Sequence, residues 1–297
     1  MTHTRCMIKP IFLLSAAVAI CFVHARAEPL FPQAPGMVSY TYRASFTKDV
    51  PGTLDQINAL GIRDMEFSNL FDKTAAELRQ MLDARGMVCT SFGVSYDDLV
   101  NKTDEVAKNA KTLGAQFVRV AWIPHTPPFT LELARKTAAD FNRLGKKLRE
   151  QYGLTFCYHN HGYEFAPKAE GTLFDVLMTE TDPKDVSIEI DILWAHFPGA
   201  DPVKLLEKYG PRCKLLHLKD LKQGVKGDLT GKTAEENDVA LGTGQLDLPA
   251  ILKAAKRAGV QHYYIEDESP QFSIQVPQTI AYLKKLKDSS TSKGTDL

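Results

Sequence analysis

Residues 131–161 read LELARKTAADFNRLGKKLREQYGLTFCYHNH, and this stretch contains the two patterns that decide the fold. Its first part, Leu131–Tyr152, repeats apolar residues three or four positions apart, which predicts an amphipathic helix. Gly153 follows at the point where a helix usually ends, and the run Leu154–His161 is rich in strand-forming residues. The stretch therefore predicts a helix, a short turn and then a strand.

The same unit recurs along the chain. Eight runs have strand character, and each is separated from the next by a helical pattern; they are Met37–Tyr42, Ile62–Phe67, Met87–Val94, Ala115–Trp122, Leu154–His161, Val186–Leu193, Cys213–Asp220 and Val260–Asp267. A glycine stands between most helices and the following strand, as in Gly86 and Gly114. Glycines placed so regularly at the ends of helices indicate β/α units.

Eight β/α units predict a single α/β domain folded as a (β/α)8 TIM barrel. A doubly wound sheet is the alternative, but it usually carries a G-x-G-x-x-G loop after its first strand, and this chain has none there. The Gly242-Thr243-Gly244 segment comes late and is interpreted as a turn. In a barrel, the active site lies at the carboxyl ends of the strands.

The overall composition excludes several classes of protein. The chain has 297 residues, 44% hydrophobic and 24% charged, with 36 Lys and Arg against 36 Asp and Glu. This is a globular composition, and because the only long apolar run lies at the start, a multi-span membrane protein is excluded. A neutral chain without a basic block also argues against nucleic acid as a partner.

The first 27 residues have the features of a secretory signal peptide. Arg5 and Lys9 form a basic region, Ile11–Val23 is apolar, and the small residues Ala25 and Ala27 form a cleavage site. Cleavage near Ala27 would leave a barrel over residues 28–290 and a disordered polar tail over 291–297. We therefore expect a periplasmic or secreted protein that has no membrane contact after cleavage.

Three cysteines remain after such a cleavage. Cys89, Cys157 and Cys213 are odd in number and have no C-x-x-C spacing. We expect buried free thiols and no disulfide framework.

The alternation of side chains along a strand predicts which residues face the barrel interior, because residues two apart share a face. If Ile188, Ile190 and Ile192 face the helices, their neighbours on the same strand point inward. Applied to every strand, this rule places ten ionisable groups inside the barrel: Asp64, Glu66, Arg119, His159, His161, Glu189, Asp191, His217, Lys219 and Glu266. Buried charges are costly unless they are paired or bind a metal.

Some of these groups lie near the ends of their strands, where a barrel has its active site. They are Glu66, His161, Asp191, His217, Lys219 and Glu266, with Glu164 just beyond in the loop. Carboxylates and imidazoles without thiolates suit one divalent ion such as Mn²⁺, Co²⁺, Zn²⁺, Fe²⁺ or Mg²⁺. The alternative is a layer of ion pairs that fills the barrel, for instance His159 against Glu189.

Five segments taken in order carry a resemblance to a known family. They are Tyr158-His159-Asn160-His161-Gly162-Tyr163-Glu164-Phe165, Glu189-Ile190-Asp191-Ile192-Leu193-Trp194, His217-Leu218-Lys219-Asp220, Gly242-Thr243-Gly244-Gln245-Leu246-Asp247 and Ile265-Glu266-Asp267. Together they resemble the xylose-isomerase-like barrel superfamily of sugar phosphate isomerases and epimerases.

The resemblance implies a divalent metal held by a carboxylate on the fifth strand, an Asp on the sixth, a His on the seventh and a Glu on the eighth. The last three correspond to Asp191, His217 and Glu266. The fifth-strand carboxylate is replaced by His159, so that either Glu164 or His161 completes the set; we chose Glu164 as the fourth ligand.

A second departure is Trp194, where epimerase relatives carry a His. Either His196 compensates, or Trp194 forms an apolar wall on which a sugar ring stacks. The remaining candidate residues are assigned to catalysis or to substrate binding around the metal. His161, Lys219 and Glu66 are the candidate catalytic residues, and Trp194, His159, His196 and Arg119 are the candidate substrate-binding residues.

The resemblance implies proton removal next to a sugar carbonyl, with the enediolate stabilised as it forms. We therefore expect a metal-dependent sugar isomerase or epimerase that acts on a non-phosphorylated or modified small sugar, because phosphorylated sugars are largely cytosolic. A 3-keto-glycoside lyase or hydratase with the same metal chemistry is the alternative, and a non-catalytic sugar-binding barrel is the alternative from another class. The sequence is also compatible with a homo-oligomer.

Overall fold

The computed structural model describes Met1, Leu30 and residues 34–286. Within this part of the chain eight strands close into one parallel barrel. They are β1 (Gly36–Val38), β2 (Asp64–Phe67), β3 (Val88–Val94), β4 (Phe117–Val120), β5 (Thr155–His159), β6 (Val186–Asp191), β7 (Cys213–Leu218) and β10 (His262–Ile265). The predicted TIM barrel is confirmed. The expected signal peptide and polar tail lie outside the described residues, apart from Met1.

The remaining two strands form an antiparallel pair outside the barrel, β8 (Asp220–Leu221) and β9 (Asp238–Val239). The sequence pattern did not predict this pair. Asp220 also holds the Gly242–Gly244 turn, because its Oδ2 accepts hydrogen bonds from the backbone N–H groups of Gly242 and Gly244, each at 3.0 Å. The interpretation of that segment as a turn is confirmed.

Helices cover the outside of the barrel. They are α1 (Arg43–Phe46), α2 (Val50–Ala59), α3 (Ala75–Asp83), α4 (Tyr96–Asn101), α5 (Thr103–Leu113), α6 (Leu131–Lys147), α7 (Leu173–Thr179), α8 (Ile192–His196), α9 (Pro202–Tyr209), α10 (Leu248–Ala258) and α11 (Phe272–Lys285). None of the described helices is both long enough and apolar enough to cross a membrane.

Helix α6 shows how the sequence produces these elements. Thr130 caps its start by accepting a hydrogen bond from the backbone N–H of Leu133 at 3.2 Å. Phe141 and Leu144 are buried on the face that packs against the barrel, and each such side chain contributes about 1.5–3 kcal/mol of hydrophobic free energy. After a final π turn, Gly153 takes φ 66°, the left-handed conformation that ends the helix.

All eight barrel strands are shorter than the pattern predicted, and the first and the sixth show the local reason. The first ends at Val38, and Ser39–Tyr42 forms a 3-10 helix. The sixth ends at Asp191, because the Oδ1 of Asp191 accepts the backbone N–H of Trp194 at 2.8 Å and thereby caps α8. These early strand ends bring loop and helix residues to the mouth of the barrel.

The interior of the barrel is layered. At the amino-terminal end, an apolar group made of Phe117, Cys157, Leu215 and Tyr264 fills the space between the strands. Two residues further along each of these strands come Arg119, His159, His217 and Glu266. A polar layer therefore lies above an apolar floor. Cys89, Cys157 and Cys213 are buried free thiols, as expected.

Candidate metal centre and cavity

The three ligands implied on strands β6, β7 and at the end of β10 meet in the structure. One ligand atom each from Asp191, His217 and Glu266 lies within 4.8 Å of the others. The closest pair is Nδ1 of His217 and Oε2 of Glu266, at 2.6 Å, and Nδ1 of His217 lies 3.8 Å from Oδ2 of Asp191. All three residues are buried. The alternation of side chains along three separate strands thus correctly predicted that Asp191, His217 and Glu266 lie together.

Strand β5 adds to this cluster a ring nitrogen of His159 that could bind a metal. Nε2 of His159 lies 3.9 Å from Oδ2 of Asp191, and its other nitrogen, Nδ1, lies 3.0 Å from Oε2 of Glu189. The predicted pairing of His159 with Glu189 is present. A carboxylate on one imidazole nitrogen orients the ring and leaves the other nitrogen for a ligand. His159 therefore occupies the place that we had given to Glu164.

The structure does not bring Glu164 into the cluster. Its carboxylate accepts hydrogen bonds from the hydroxyl of Tyr158 and from the backbone N–H of Gly162, the latter at 2.7 Å. Tyr158 faces the helices, opposite to its neighbour His159, so Glu164 points away from the barrel axis. Burial raises the pKa of Glu164 to about 7, although those hydrogen bonds oppose the shift.

Whether this cluster fits a divalent ion is decided by Asp191. Its Oδ1 caps α8, while its Oδ2 is buried and makes no hydrogen bond. A buried carboxylate oxygen without a hydrogen bond is costly; Oδ2 has only ion-pair contacts at 3.8–3.9 Å with His159, His217 and Lys219, and a cation bound directly to it would remove that cost. The donor set of two imidazoles and two carboxylates is one that Zn²⁺, Fe²⁺, Mn²⁺ and Co²⁺ accept. The residues present therefore fit such an ion.

A second arrangement of possible ligands shares His217. Ligand atoms of His159, Glu189 and His217 also lie within 4.8 Å of one another. In that group, however, Oε2 of Glu189 is already paired with Nδ1 of His159 at 3.0 Å and with Nε of Arg119 at 3.2 Å. Oε1 of Glu189, like Oδ2 of Asp191, is buried without a hydrogen bond. Because its Oε2 is held by both His159 and Arg119, Glu189 is better placed to orient a ligand than to be one.

Glu66 and Arg119 support the cluster from inside the barrel. Nε of Arg119 donates to Oε1 of Glu66 at 3.0 Å, and the same oxygen lies 2.9 Å from Nε2 of His217. Burial works against ionised Glu66, but Arg119 and His217 outweigh it and hold its pKa below the usual range. Glu66, which we had expected to be catalytic, is fully buried and does not line the cavity.

Lys219 also differs from its expected place. Its side chain is fully buried, and its Nζ binds Glu268 and lies 3.7–3.9 Å from carboxylate oxygens of Asp191, Asp238 and Glu266. These carboxylates outweigh the effect of burial and raise the pKa of Lys219 well above its usual value. Lys219 is not among the residues that line the cavity, although Glu266 and Glu268, which face its ammonium, and Trp194, whose ring centroid lies 5.3 Å from Nζ, do line it.

A cavity of about 570 Å³ opens above the cluster. Of the predicted site residues, it is lined by Arg119, His159, His161, Trp194, His217 and Glu266. His196 does not line it: His196 comes two positions after Trp194 in α8, and residues two apart on a helix point to nearly opposite sides. Of the two alternatives for this region, the wall formed by Trp194 is therefore the one the structure brings to the cavity.

His161 lies between two aromatic walls. Its ring is stacked on Trp194 with centroids 5.8 Å apart and meets the edge of Trp122 at 5.3 Å. Its Nδ1 is buried and makes no hydrogen bond. Burial and the nearby ammonium of Lys219 lower the pKa of His161 to about 3, which keeps the imidazole neutral.

Several lining residues were not predicted because they lie in loops or at strand ends. They are Tyr40, Ser68, Asn69, Ala121, Trp122, Gly231, Lys232, Thr233, Glu235 and Glu268. Tyr40, Ala121 and Trp122 had an available signal, since they lie in the first and fourth predicted strands. The others lie outside the predicted strands, and Gly231–Glu235 belongs to the loop that follows β8.

The loop after β8 closes one side of the cavity. A Cβ atom on Gly231 would lie 2.8 Å from the backbone oxygen of His161, so only glycine allows this close approach. Further along, Glu235 forms an ion pair with Arg43 at 2.5 Å. The loop is therefore held against the mouth at two points.

Comparison with known proteins agrees with this description. The sequence profile of the xylose isomerase-like TIM barrel family matches residues 54–286. The class of protein is a barrel enzyme with a candidate metal centre, and the chain belongs to the xylose isomerase-like TIM barrel family.

Individual relatives add detail. An inosose dehydratase from Bacillus cereus is 37% identical over 208 residues, which cover 63% of this chain and 67% of that protein. A sugar phosphate isomerase/epimerase from Parabacteroides distasonis has a similar fold, with a TM-score of 0.67, 24% identity, and coverage of 91% of this chain and 98% of that one. The IOLI protein with a bound zinc atom has a TM-score of 0.66 at 16% identity, and the match covers 85% of this chain and 96% of that one.

Proposed function

We propose that the protein is a metal-dependent lyase that acts on a keto-sugar or a related keto-polyol. The observation that carries this proposal is the buried Oδ2 of Asp191, which makes no hydrogen bond, amid His159, His217 and Glu266 and directly behind a cavity with polar and aromatic walls. The resemblance to an inosose dehydratase favours elimination over the isomerisation or epimerisation that we had expected from sequence.

His159, Asp191, His217 and Glu266 would hold the ion. When bound there, a divalent ion supplies a positive charge that polarises a keto group and makes the neighbouring C–H bond more acidic. The zinc atom of the IOLI protein supports a metal in this kind of barrel.

The residues of the chain would do the rest of the chemistry. The neutral imidazole of His161 removes the proton next to the keto group, and the C–H electron pair forms a C=C bond as the bond from the adjacent carbon to its oxygen substituent breaks. That substituent leaves with a proton, as water or an alcohol. The imidazolium formed in this step returns the proton to the leaving group.

Two aromatic side chains would orient the sugar ring. Trp122 and Trp194 flank His161 and line the cavity, and sugar rings bind well against aromatic faces. Arg119 lines the same cavity, but its guanidinium is engaged by Glu66 and Glu189. Its role is therefore to compensate the buried carboxylates.

The test is a screen of keto-sugars and 3-keto-glycosides with added Mn²⁺ or Zn²⁺ in deuterated water, followed by NMR. Uptake of deuterium together with a new unsaturated ketone and released water or alcohol supports the lyase. Uptake of deuterium with a rearranged sugar and no elimination would establish an isomerase or epimerase in its place, and binding without exchange would indicate a non-catalytic barrel.

We also propose that residues 1–27 direct export and are then removed. The basic, apolar and small-residue segments of the leader support this proposal. Mass determination of the protein recovered from the periplasm tests it, with a mature chain that begins near Glu28 as the expected result and a retained leader as the contrary one.

A further inference from the structure

Glu164 is a buried carboxyl group that the proposed mechanism does not use. It lies in the short turn that follows β5, and its side chain is fully shielded from solvent. Its Oε1 accepts the backbone N–H of His161 at 3.0 Å, and its Oε2 accepts the backbone N–H of Gly162 at 2.7 Å. The carboxyl group therefore closes the turn that begins at His161.

Closing a turn does not by itself require a buried carboxyl group. At the start of α3, Glu77 accepts the backbone N–H of Thr74 at 2.7 Å, also three residues earlier, and Glu77 is exposed. Hydrogen bonds from the backbone and the hydroxyl of Thr74 lower the pKa of Glu77, whereas burial raises the pKa of Glu164 to about 7. The same kind of hydrogen bond thus costs more at Glu164, because the carboxylate loses its hydration there. Its burial indicates a role beyond closing the turn.

His161 lacks the support that the other imidazole of this region has. Glu189 binds Nδ1 of His159 and orients that ring, whereas Nδ1 of His161 is buried and makes no hydrogen bond within the described part of the chain. Apart from a contact with the backbone of Ala121, the direction of the His161 ring depends on its own backbone and on the two tryptophans that flank it.

The backbone of His161 is held from two sides. Glu164 binds its N–H on the side away from the barrel axis. On the cavity side Gly231 packs against its carbonyl group, since a Cβ atom on Gly231 would lie 2.8 Å from that oxygen. Gly162 continues the turn with φ 115°, and its N–H is held by Glu164 as well. These contacts set where the Cα of His161 lies, and with it the ring that lines the cavity.

We propose that Glu164 is a positioning residue for His161: by holding the backbone N–H groups of His161 and Gly162, it keeps the imidazole at the distance and angle that proton transfer requires. The proposal rests on the proposed lyase function, in which His161 is the base. It concerns a residue that contacts neither the ligand cluster nor the cavity. Displacing a reacting group by about 1 Å lowers the rate by about 100-fold, so a support of the backbone alone has a measurable effect.

NMR spectra of Glu164→Gln test the proposal without any reaction. Gln has nearly the same size and no charge to bury, so the variant should fold, but it has one acceptor oxygen in place of two and keeps only part of the hydrogen bonds to the turn. The ring of His161 lies against Trp122 and Trp194, and the ring currents of these indoles shift the NMR signals of its protons. With added Zn²⁺ and isotope-labelled histidine, this shift should decrease in Glu164→Gln. The spectrum of His161→Gln identifies the signals.

Turnover provides a second measurement. Solvent deuterium exchange into a keto-sugar should have a kcat about 10- to 100-fold lower in Glu164→Gln and a nearly unchanged KM, because the cavity walls that bind the sugar remain. Tyr158→Phe is the matched control. It removes the hydroxyl that also donates to the Glu164 carboxylate and leaves both backbone hydrogen bonds in place. This variant should keep the His161 signals and the kcat.

Three results would overturn the proposal: His161 signals that stay in place in Glu164→Gln, an unchanged kcat in that variant, or an equal loss in Tyr158→Phe, which would make the role of Glu164 purely structural. Failure of the proposed lyase function would appear differently. In that case the unchanged protein would catalyse no deuterium exchange with any keto-sugar, while the His161 signals of Glu164→Gln would still move.

Discussion

Nδ1 of His159 lies 3.0 Å from Oε2 of Glu189, and this contact turns the opposite ring nitrogen toward the carboxylate of Asp191. In the proposed metal centre, this relation would make His159 the ligand from β5, with Glu189 orienting its ring. It also gives the buried Glu189 a partner in a layer already rich in carboxylates.

His159→Ala should lower the affinity for Zn²⁺ or Mn²⁺ by at least about 100-fold, and Glu189→Gln by about 10–100-fold, because the first removes a ligand and the second only its partner. Competition titration against a chelating dye measures both. Glu164→Gln is the matched control and should leave metal affinity unchanged, since Glu164 contacts Tyr158 and Gly162. If the Glu164 variant lost the metal and the His159 variant kept it, Glu164 would be the fourth ligand, as expected from the sequence.

Asp191→Asn should separate the two tasks of that carboxylate. The amide oxygen of Asn can still accept the backbone N–H of Trp194 and cap α8, but an NH₂ group replaces Oδ2, the oxygen that makes no hydrogen bond. We expect folded protein without stoichiometric metal or activity. Asp191→Ala should lose metal too and be less stable by about 1 kcal/mol more, the usual value of a helix cap. Elemental analysis and thermal unfolding are the measurements; full metal occupancy in Asp191→Asn would contradict the assignment.

Lys219→Met should destabilise the fold, which differs from the purely catalytic role expected from sequence. Removing the ammonium leaves four carboxylates without the cation that they share, although His217 still pairs with Glu266. Breaking a buried pair in this way costs about 3–5 kcal/mol. Urea unfolding at pH 7 should show the loss, while Lys214→Met on the same strand, half-exposed, should change stability little. A Lys219→Met protein as stable as the unchanged one would return Lys219 to direct action on substrate.

His161→Gln should lower solvent deuterium exchange by about 100- to 10,000-fold, the range for removal of a general acid or base. Its metal content should remain, because His161 is not part of the ligand cluster. His196→Gln is the comparison, since His196 does not line the cavity and should keep both exchange and metal. Near-normal exchange in His161→Gln would remove His161 from the mechanism.

Side-chain alternation along strands explains what could be predicted. Because it is a local rule, it placed Asp191, His217 and Glu266 on the interior face without knowledge of the barrel's register. The rule fails where a strand ends. After β5, Gly162 takes φ 115° and Tyr163–Phe165 forms a 3-10 helix, which swings Glu164 to the outer side of the strand.

The loop residues of the cavity could not be predicted for a related reason. Asn69 reaches the cavity wall through a turn fixed by its own hydrogen bond to Phe71, and Lys232 reaches the mouth because Gly231 packs against His161. Both placements depend on contacts between distant parts of the chain, which no periodic pattern records.

The apolar floor of Phe117, Cys157, Leu215 and Tyr264 has a kinetic consequence. It fills the amino-terminal side of the barrel below the cluster of possible ligands, so that in the proposed enzyme the ion, the sugar and the product would all pass through the mouth on the opposite side. The ion would lie deepest and would have to arrive first, because a sugar above it would block its departure. Loading would therefore be ordered, and the bound ion should exchange with solution more slowly while the mouth is occupied.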